Sequence, residues 1–158
     1  MTIAIIGAGI AGAACSSALI RSNKSVVLFD KARAVGGRMS SKRSAGYYAD
    51  LGAQYFTARD AQFKAQVARW CEQGLVQIWP TQPWVSQDGV LSRSDDQQDR
   101  YIGTATMHQM FGGEFGKFES HFQCKINELS YITSNLSSHS HGQWQLCSEQ
   151  GECYGGFD

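Results

Sequence analysis

The chain has 158 residues, 42% of them hydrophobic, which is enough apolar material for a domain-sized core. Its 14 basic and 14 acidic side chains cancel, which removes any global electrostatic reason to expect nucleic acid or a membrane surface as a partner. Cys15, Cys71, Cys124, Cys147 and Cys153 are scattered and form no C-x-x-C pair, so free buried thiols in a reducing cytoplasm are expected, with neither a zinc site nor a disulfide framework.

The first thirty residues read MTIAIIGAGIAGAACSSALIRSNKSVVLFD. An apolar run, Ile3 to Ile6, predicts a strand that meets a G-x-G-x-x-G turn at Gly7, Gly9 and Gly12. A helix is predicted over 10–21, a turn at Ser22-Asn23-Lys24, and a second buried strand over 25–29, with Asp30 at its carboxyl end. That is the dinucleotide-binding pattern. Gly7 turns the strand, Gly9 lets backbone approach a pyrophosphate, and Gly12 keeps the helix close to the sheet. The pyrophosphate then meets the unpaired N–H groups and positive dipole end of the helix. A carboxylate at Asp30 accepts from a ribose diol and repels a 2′-phosphate. A signal peptide or membrane anchor fits less well, because no basic segment precedes the run and glycines and alanines fill it.

Five basic residues follow before the next acid at Asp50: Lys31, Arg33, Arg38, Lys42 and Arg43. Lys42 and Arg43 read equally well as a solvated face. Arg38 stands apart because Gly36-Gly37 before it permits close backbone approach, which delivers a guanidinium to a second phosphate or a flavin edge. Ser44-Ala45-Gly46 predicts a turn and 47–50 a short extended segment. Gln54 offers donors and an acceptor, and Tyr55 and Phe56 offer flat surface for a ring system, with Phe56 equally suited to a core position.

Taken together, GAGIAG, FDKARAVGGRMSSKR and DLGAQYFTARD resemble the flavin-containing amine oxidase superfamily, most closely its renalase-like bacterial flavoproteins. The resemblance implies a Rossmann-like, three-layer α/β domain of the glutathione-reductase type that binds FAD/NAD(P), with the start of an antiparallel substrate domain. It implies FAD as cofactor. Gly7, Gly9, Ala11 and Gly12 would meet the pyrophosphate, Asp30 the adenosine ribose, and Arg38, Gln54 and Tyr55 the flavin half. Ala8, Ile10, Lys31, Gly37, Met39 and Phe56 complete the implied cofactor contacts. The implied organisation is an FAD-binding core over 1–74, a partial substrate-domain insertion over 75–115, and strands returning to the nucleotide-binding domain over 116–158.

Further along, a helix over 57–74 is expected, opened by Thr57 with Asp60 as a capping box and closed by Gly74, with Phe63, Val67, Trp70 and Cys71 on one face. A strand follows over 75–79, then a hairpin pairing Trp84-Val85 with Val90-Leu91 across Asp88-Gly89. The resemblance would let Trp79 and Trp84 line a substrate pocket over the flavin, and buried packing is the simpler expectation for each. Residues 92–100 read as a charged connection and 104–111 as a short helix stopped by Gly112-Gly113, carrying His108 in an ordinary surface or core position. Alternation of Phe122, Cys124 and Ile126 predicts a half-buried strand, and 144–147 with 152–154 a hairpin about Gln150-Gly151. His139 and His141 lie in a polar patch without a carboxylate or thiol partner, so no metal is expected there.

The activity implied is an FAD-dependent oxidoreductase that passes a substrate hydride to the flavin and then to dioxygen, with no side chain assigned as acid, base or nucleophile. The implied substrate is a wrongly reduced dihydro-isomer of NAD(P)H, returned to NAD(P)⁺, with an amine as the superfamily alternative. An NAD-dependent reductase without flavin and a non-catalytic nucleotide-binding fragment are the other readings. Relatives of this family continue past the equivalent of residue 158. By itself, therefore, the chain is expected to be inactive and to leave a strand edge and apolar surface uncovered.

Overall fold

In the computed structural model, residues 1–111, 118–133 and 142–158 are described. Along the first part of the chain run β1 (Thr2–Ile6), α1 (Ile10–Arg21), β2 (Ser25–Phe29), β3 (Ser41–Ser44), β4 (Tyr47–Asp50), α2 (Ala61–Glu72) and β5 (Val76–Ile78). They are followed by β6 (Trp84–Gln87), β7 (Val90–Arg93), β8 (Tyr101–Gly103), β9 (Glu119–His121), β10 (Ile126–Ile132), β11 (Gln143–Ser148) and β12 (Cys153–Phe157). These elements fall into two compact units, Met1–Arg38 with Phe111–Asp158, and Met39–Met110.

In the first unit, α1 and β2 occupy the stretches the residue pattern predicts. β1 and β2 pair in parallel from Thr2–Ser25 to Ile6–Phe29, and β9 extends the sheet beyond β2 to give the order β1-β2-β9. Neighbouring residues of a strand point to opposite faces, and this sorts the packing. Ile5 lies beneath Gly12 of α1, whereas Ala4, Val27 and Phe29 face a cluster containing Cys124, Leu146 and Phe157. The latter residues belong to, or lead into, the antiparallel sheet β10-β11-β12. Helix, parallel sheet and antiparallel sheet therefore form three layers. β2 is apolar at every position after Ser25 because both of its faces are covered. Phe29 is fully buried at the centre of this unit, stacked on the His121 ring at 4.9 Å and meeting the Tyr154 and Phe157 rings at 4.8 and 6.0 Å.

Two expectations are corrected in this unit. The alternation of Phe122, Cys124 and Ile126 does not form one strand. Gln123 takes a φ of 57°, its N–H donates to the Ala32 carbonyl at 2.8 Å, and the Cys124 N–H donates to the Asp30 carbonyl at 3.0 Å. Those bonds tie the segment to the loop after β2, so pairing stops at His121 and resumes at Ile126. The hairpin about Gly151 forms with longer arms, and its register sets Cys147 opposite Cys153. With their Cα atoms 4.1 Å apart, the two are joined by a disulfide, contrary to the expectation of free thiols throughout. Cys15, Cys71 and Cys124 remain free.

In the second unit, β3 and β4 form a hairpin closed by Ala45 and Gly46, both at positive φ (48° and 87°), as a two-residue loop requires. The turn and β4 follow the sequence pattern. β3 was not predicted, because Ser-Lys-Arg-Ser has no strand signature. Helix α2 begins later than expected. Phe56 is held extended by two backbone hydrogen bonds to Tyr101 (3.0 and 2.8 Å), and the cap is Asp60, whose Oδ1 accepts from the Phe63 N–H at 2.9 Å, rather than Thr57. Gly74 ends the helix with φ 69°.

The β6–β7 hairpin turns at Asp88-Gly89 as predicted, and β5 pairs with β8. Trp79 and Trp84 are 37% and 58% exposed, which overturns the expectation of burial: every residue of β6 and β7 is solvent-facing, and the Trp84 ring is met by the Arg93 guanidinium at 5.7 Å rather than by an apolar layer among the described residues. The helix expected over 104–111 is a short 3₁₀ turn, Met107–Phe111, that buries Met107 and Met110. Gly112, Gly113, His139 and His141 lie outside the described residues. No helix among the described residues is long and apolar enough to cross a membrane.

Candidate functional site

In the first unit the glycine-rich turn is built by close backbone packing. Gly7 has φ 110°, a conformation costly for any residue with a Cβ, and its N–H donates to the Phe29 carbonyl at 2.7 Å. A Cβ on Gly12 would stand 1.9 Å from the Gly7 carbonyl oxygen, so the first turn of α1 reaches the strand only because residue 12 is glycine. Gly9 is the N-cap of α1. It is extended, supplies no side-chain cap, and no acidic residue occupies the first turn. The first N–H groups of the helix are therefore left to an outside acceptor at the positive end of the dipole.

The Gly36-Gly37 pair packs against this turn. The Gly36 N–H donates to the Ala8 carbonyl at 2.9 Å, and a Cβ on Gly37, which has φ 54°, would come within 3.1 Å of the Gly9 Cα. Sequence reasoning attributed the close approach of this pair to a ligand. Its immediate partner is the backbone of Gly9. The consequence is positional: Arg38, exposed and without an ion pair among the described residues, begins one residue beyond that contact.

Asp30 closes the same cluster. Its Oδ2 accepts from the Ala8 N–H at 2.5 Å and its Oδ1 from the Ala32 N–H at 2.6 Å. Each carboxylate oxygen keeps a further lone pair, so the orientation is fixed while acceptor capacity remains. The backbone of Ala8, a fully buried residue, thus joins Asp30 to Gly36. Ile10 and Ala11 are exposed on the first turn of α1, and Lys31 is exposed after β2.

The remaining predicted residues belong to the second unit. Met39 is buried and Gln54 exposed. Tyr55 is 45% exposed, with the Arg100 guanidinium 5.5 Å from its ring centre and the Trp79 ring 5.8 Å away. Phe56 packs its ring against Tyr101 (5.6 Å) and Phe63 (5.8 Å). Burial, and then the nearby Asp99 carboxylate, push the Tyr101 phenol above its ordinary range, so it stays neutral and can donate a hydrogen bond.

Sequence reasoning missed a polar cluster in this unit. The Ser41 hydroxyl donates to Asp50 Oδ1, which also accepts from the Met107 N–H at 3.1 Å. His108 Nδ1 lies 3.0 Å from Ser41 Oγ and 3.1 Å from Thr106 Oγ1. The β3–β4 hairpin and the segment around Met107 meet here from distant parts of the chain, and no local motif marks them.

Residues 5–70 match the family described as NAD(P)-binding Rossmann-like domain. Over 52 residues the chain is 40% identical to a 4,4'-diapophytoene desaturase (4,4'-diaponeurosporene-forming) of Staphylococcus haemolyticus (strain JCSC1435), a stretch that covers 33% of this chain and 10% of the desaturase. Among solved structures it is similar to the tetracycline destructases Tet(51) and Tet(55), with TM-scores of 0.60 and 0.59 at 18% and 16% identity. Each match covers 99% of this chain and 36% of the destructase. At that identity the likeness is one of fold.

Proposed function

We propose that the chain is the nucleotide-binding part of an FAD-dependent oxidoreductase. The observation that supports this reading is the seating of Gly36-Gly37, the pair that precedes Arg38, on the Gly9 turn at an uncapped helix N-terminus. A single phosphate would need only the helix end. An arginine at the same turn suits the two phosphates of a dinucleotide. Asp30 is assigned to the ribose diol, a role supported by its orientation against the Ala8 and Ala32 N–H groups and by its remaining acceptor capacity. These features fit FAD, which is the cofactor. Held there, FAD would supply the redox chemistry of hydride acceptance, with dioxygen as reoxidant and hydrogen peroxide as the reduced product.

In this proposal Gly7, Ala8, Gly9, Ile10, Ala11 and Gly12 form the diphosphate cradle, Asp30 and Lys31 the adenosine side, and Gly37 and Arg38 the second anchor. Met39, Gln54, Tyr55 and Phe56 are proposed flavin contacts on the family resemblance alone. The matched desaturase and destructases are named for different substrates, so their likeness supports a shared nucleotide-binding frame and leaves the substrate to the resemblance. On that ground we assign a dihydronicotinamide isomer of NAD(P)H as hydride donor. A cytoplasmic location goes with that substrate, and reduction there would open Cys147–Cys153.

The test is anaerobic. The flavin-loaded full-length protein is mixed with an isomeric dihydro-NAD(P) or with a primary amine, and its yellow absorbance is followed. Rapid bleaching by the former alone is expected. Bleaching by the amine alone would transfer the assignment to amine oxidation, and binding of NAD with no uptake of FAD would overturn the flavin reading.

A further inference from the structure

Hydrogen-bond bookkeeping assigns the tautomer of His108. An ionised carboxylate can only accept, so the single Ser41 hydroxyl proton is committed to Asp50. Ser41 Oγ therefore presents lone pairs to His108, and the arrangement that avoids opposing lone pairs across the 3.0 Å contact has the proton on Nδ1. Thr106 Oγ1, itself almost fully buried, shares that proton as a second acceptor at 3.1 Å. The Met107 N–H holds the carboxylate from the other side. Ser41 and Asp50 are the pair at the open end of the β3–β4 ladder, so the register of the hairpin fixes the whole relay. With Nδ1 protonated, neutral His108 carries its lone pair on Nε2.

No described residue takes up that lone pair. No buried side-chain polar atom among the described residues lacks a partner, so Nε2 is open at the surface of the unit rather than sealed within it. We propose that His108 is a ligand-binding residue whose Nε2 accepts the N–H of a bound small molecule, with Ser41 and Asp50 as its positioning residues. The ligand chemistry is an N–H donor, supplied either by a carboxamide such as that of a nicotinamide or by an ammonium group. The inference stands on the hydrogen bonds of the second unit and does not depend on FAD binding.

The experiment is ¹⁵N NMR of the histidine rings in the whole chain, with His108→Gln used to assign the signal. At a pH where the ring is neutral, His108 is expected to show a protonated Nδ1 and an unprotonated Nε2. Ser41→Ala should shift the ring toward the other tautomer, because Thr106 is then free to donate to Nδ1. Asp50→Asn, which keeps the shape, should do so less completely. Nicotinamide or methylammonium is then titrated against nicotinate, which has the ring of the first without its N–H donors. A shift of the Nε2 signal with nicotinamide alone identifies a carboxamide site, and with methylammonium alone an ammonium site. A proton found on Nε2 in the unsubstituted chain, or equal shifts with nicotinate, would overturn the proposal. So would no shift with either donor. None of these results bears on the nucleotide cradle.

Discussion

Gly9 and Gly12 stand three residues apart in the same turn, yet a methyl group at each has a different consequence. At Gly12 the new carbon would overlap the Gly7 carbonyl, so Gly12→Ala is expected to cost about 3 kcal/mol or more, read as a lowered urea midpoint. At Gly9 the nearest atom would be the Gly37 Cα at 4.0 Å, an ordinary contact. Gly9→Ala should therefore fold normally and weaken nucleotide binding by about tenfold or more, because its methyl group fills the approach to the helix end. Asp30→Ala is expected to lose on both counts. It strips the buried Ala8 N–H of its acceptor, at a cost of about 1–3 kcal/mol, and removes the diol acceptor. Tyr154 gives a residue-level pH prediction. Its hydroxyl donates to Glu152 Oε2 at 2.7 Å, and that bond, followed by burial, raises its ionisation above the ordinary tyrosine range. The folded state therefore holds the phenol proton more tightly than the unfolded chain. The stabilisation is complete below pH about 10 and falls away as the pH climbs toward the raised value. Urea midpoints measured from pH 8 upward should decline in the alkaline range, and Tyr154→Phe should flatten that decline.

Among the elements, the hairpin β11–β12 carries a covalent tie across a short loop. Opening Cys147–Cys153 by reduction or by a double serine substitution is expected to cost about 2 kcal/mol, measured as a drop in Tm, with alkylation and mass spectrometry counting two further thiols. That pair also shows where sequence reading stops. α1 and β2 were legible because glycine spacing and β-branched periodicity are local signals, and the β6–β7 turn was legible because Asp-Gly is one. A pairing between Cys147 and Cys153 depends on hairpin register, which scattered cysteines do not announce. β3 was invisible because pairing with β4, rather than the residues Ser41 to Ser44, makes it a strand. The opposite error occurred at Phe122, Cys124 and Ile126, whose alternation is real but whose backbone is claimed by Ala32 and Asp30. In the candidate site, the glycine turn between β1 and α1 and the position of Asp30 at the end of β2 were readable from spacing. The contact between Gly9 and Gly37 was not, nor was the relay from Asp50 through Ser41 to His108, because both join segments distant in sequence.

At the scale of the molecule, the matched stretches cover 10% of the desaturase and 36% of each destructase, so the whole enzyme's activity is a proposal, and the described residues are asked only to form a nucleotide cradle. The first unit has β1 at one edge of its parallel sheet and an open, mostly apolar hollow of about 270 Å³ lined by Ala4, Ile6, Leu129, Trp144, Leu146 and Phe157, with Asp158 as its charged member. Exposed apolar surface of this kind predicts concentration-dependent association of the isolated chain, measurable by sedimentation, that weakens when Trp144 is replaced by a polar residue. The central claim is that the Gly9 turn and Arg38 together hold the diphosphate of FAD. Its most direct test is FAD binding to the protein, followed by quenching of flavin fluorescence, with ADP as competitor and FMN as the flavin that lacks the adenosine half. FAD is expected to bind, ADP to displace it and FMN to bind far more weakly, with Gly9→Ala and Arg38→Ala each weakening uptake. Equal binding of FMN and FAD, or no uptake of FAD at all, would contradict the claim.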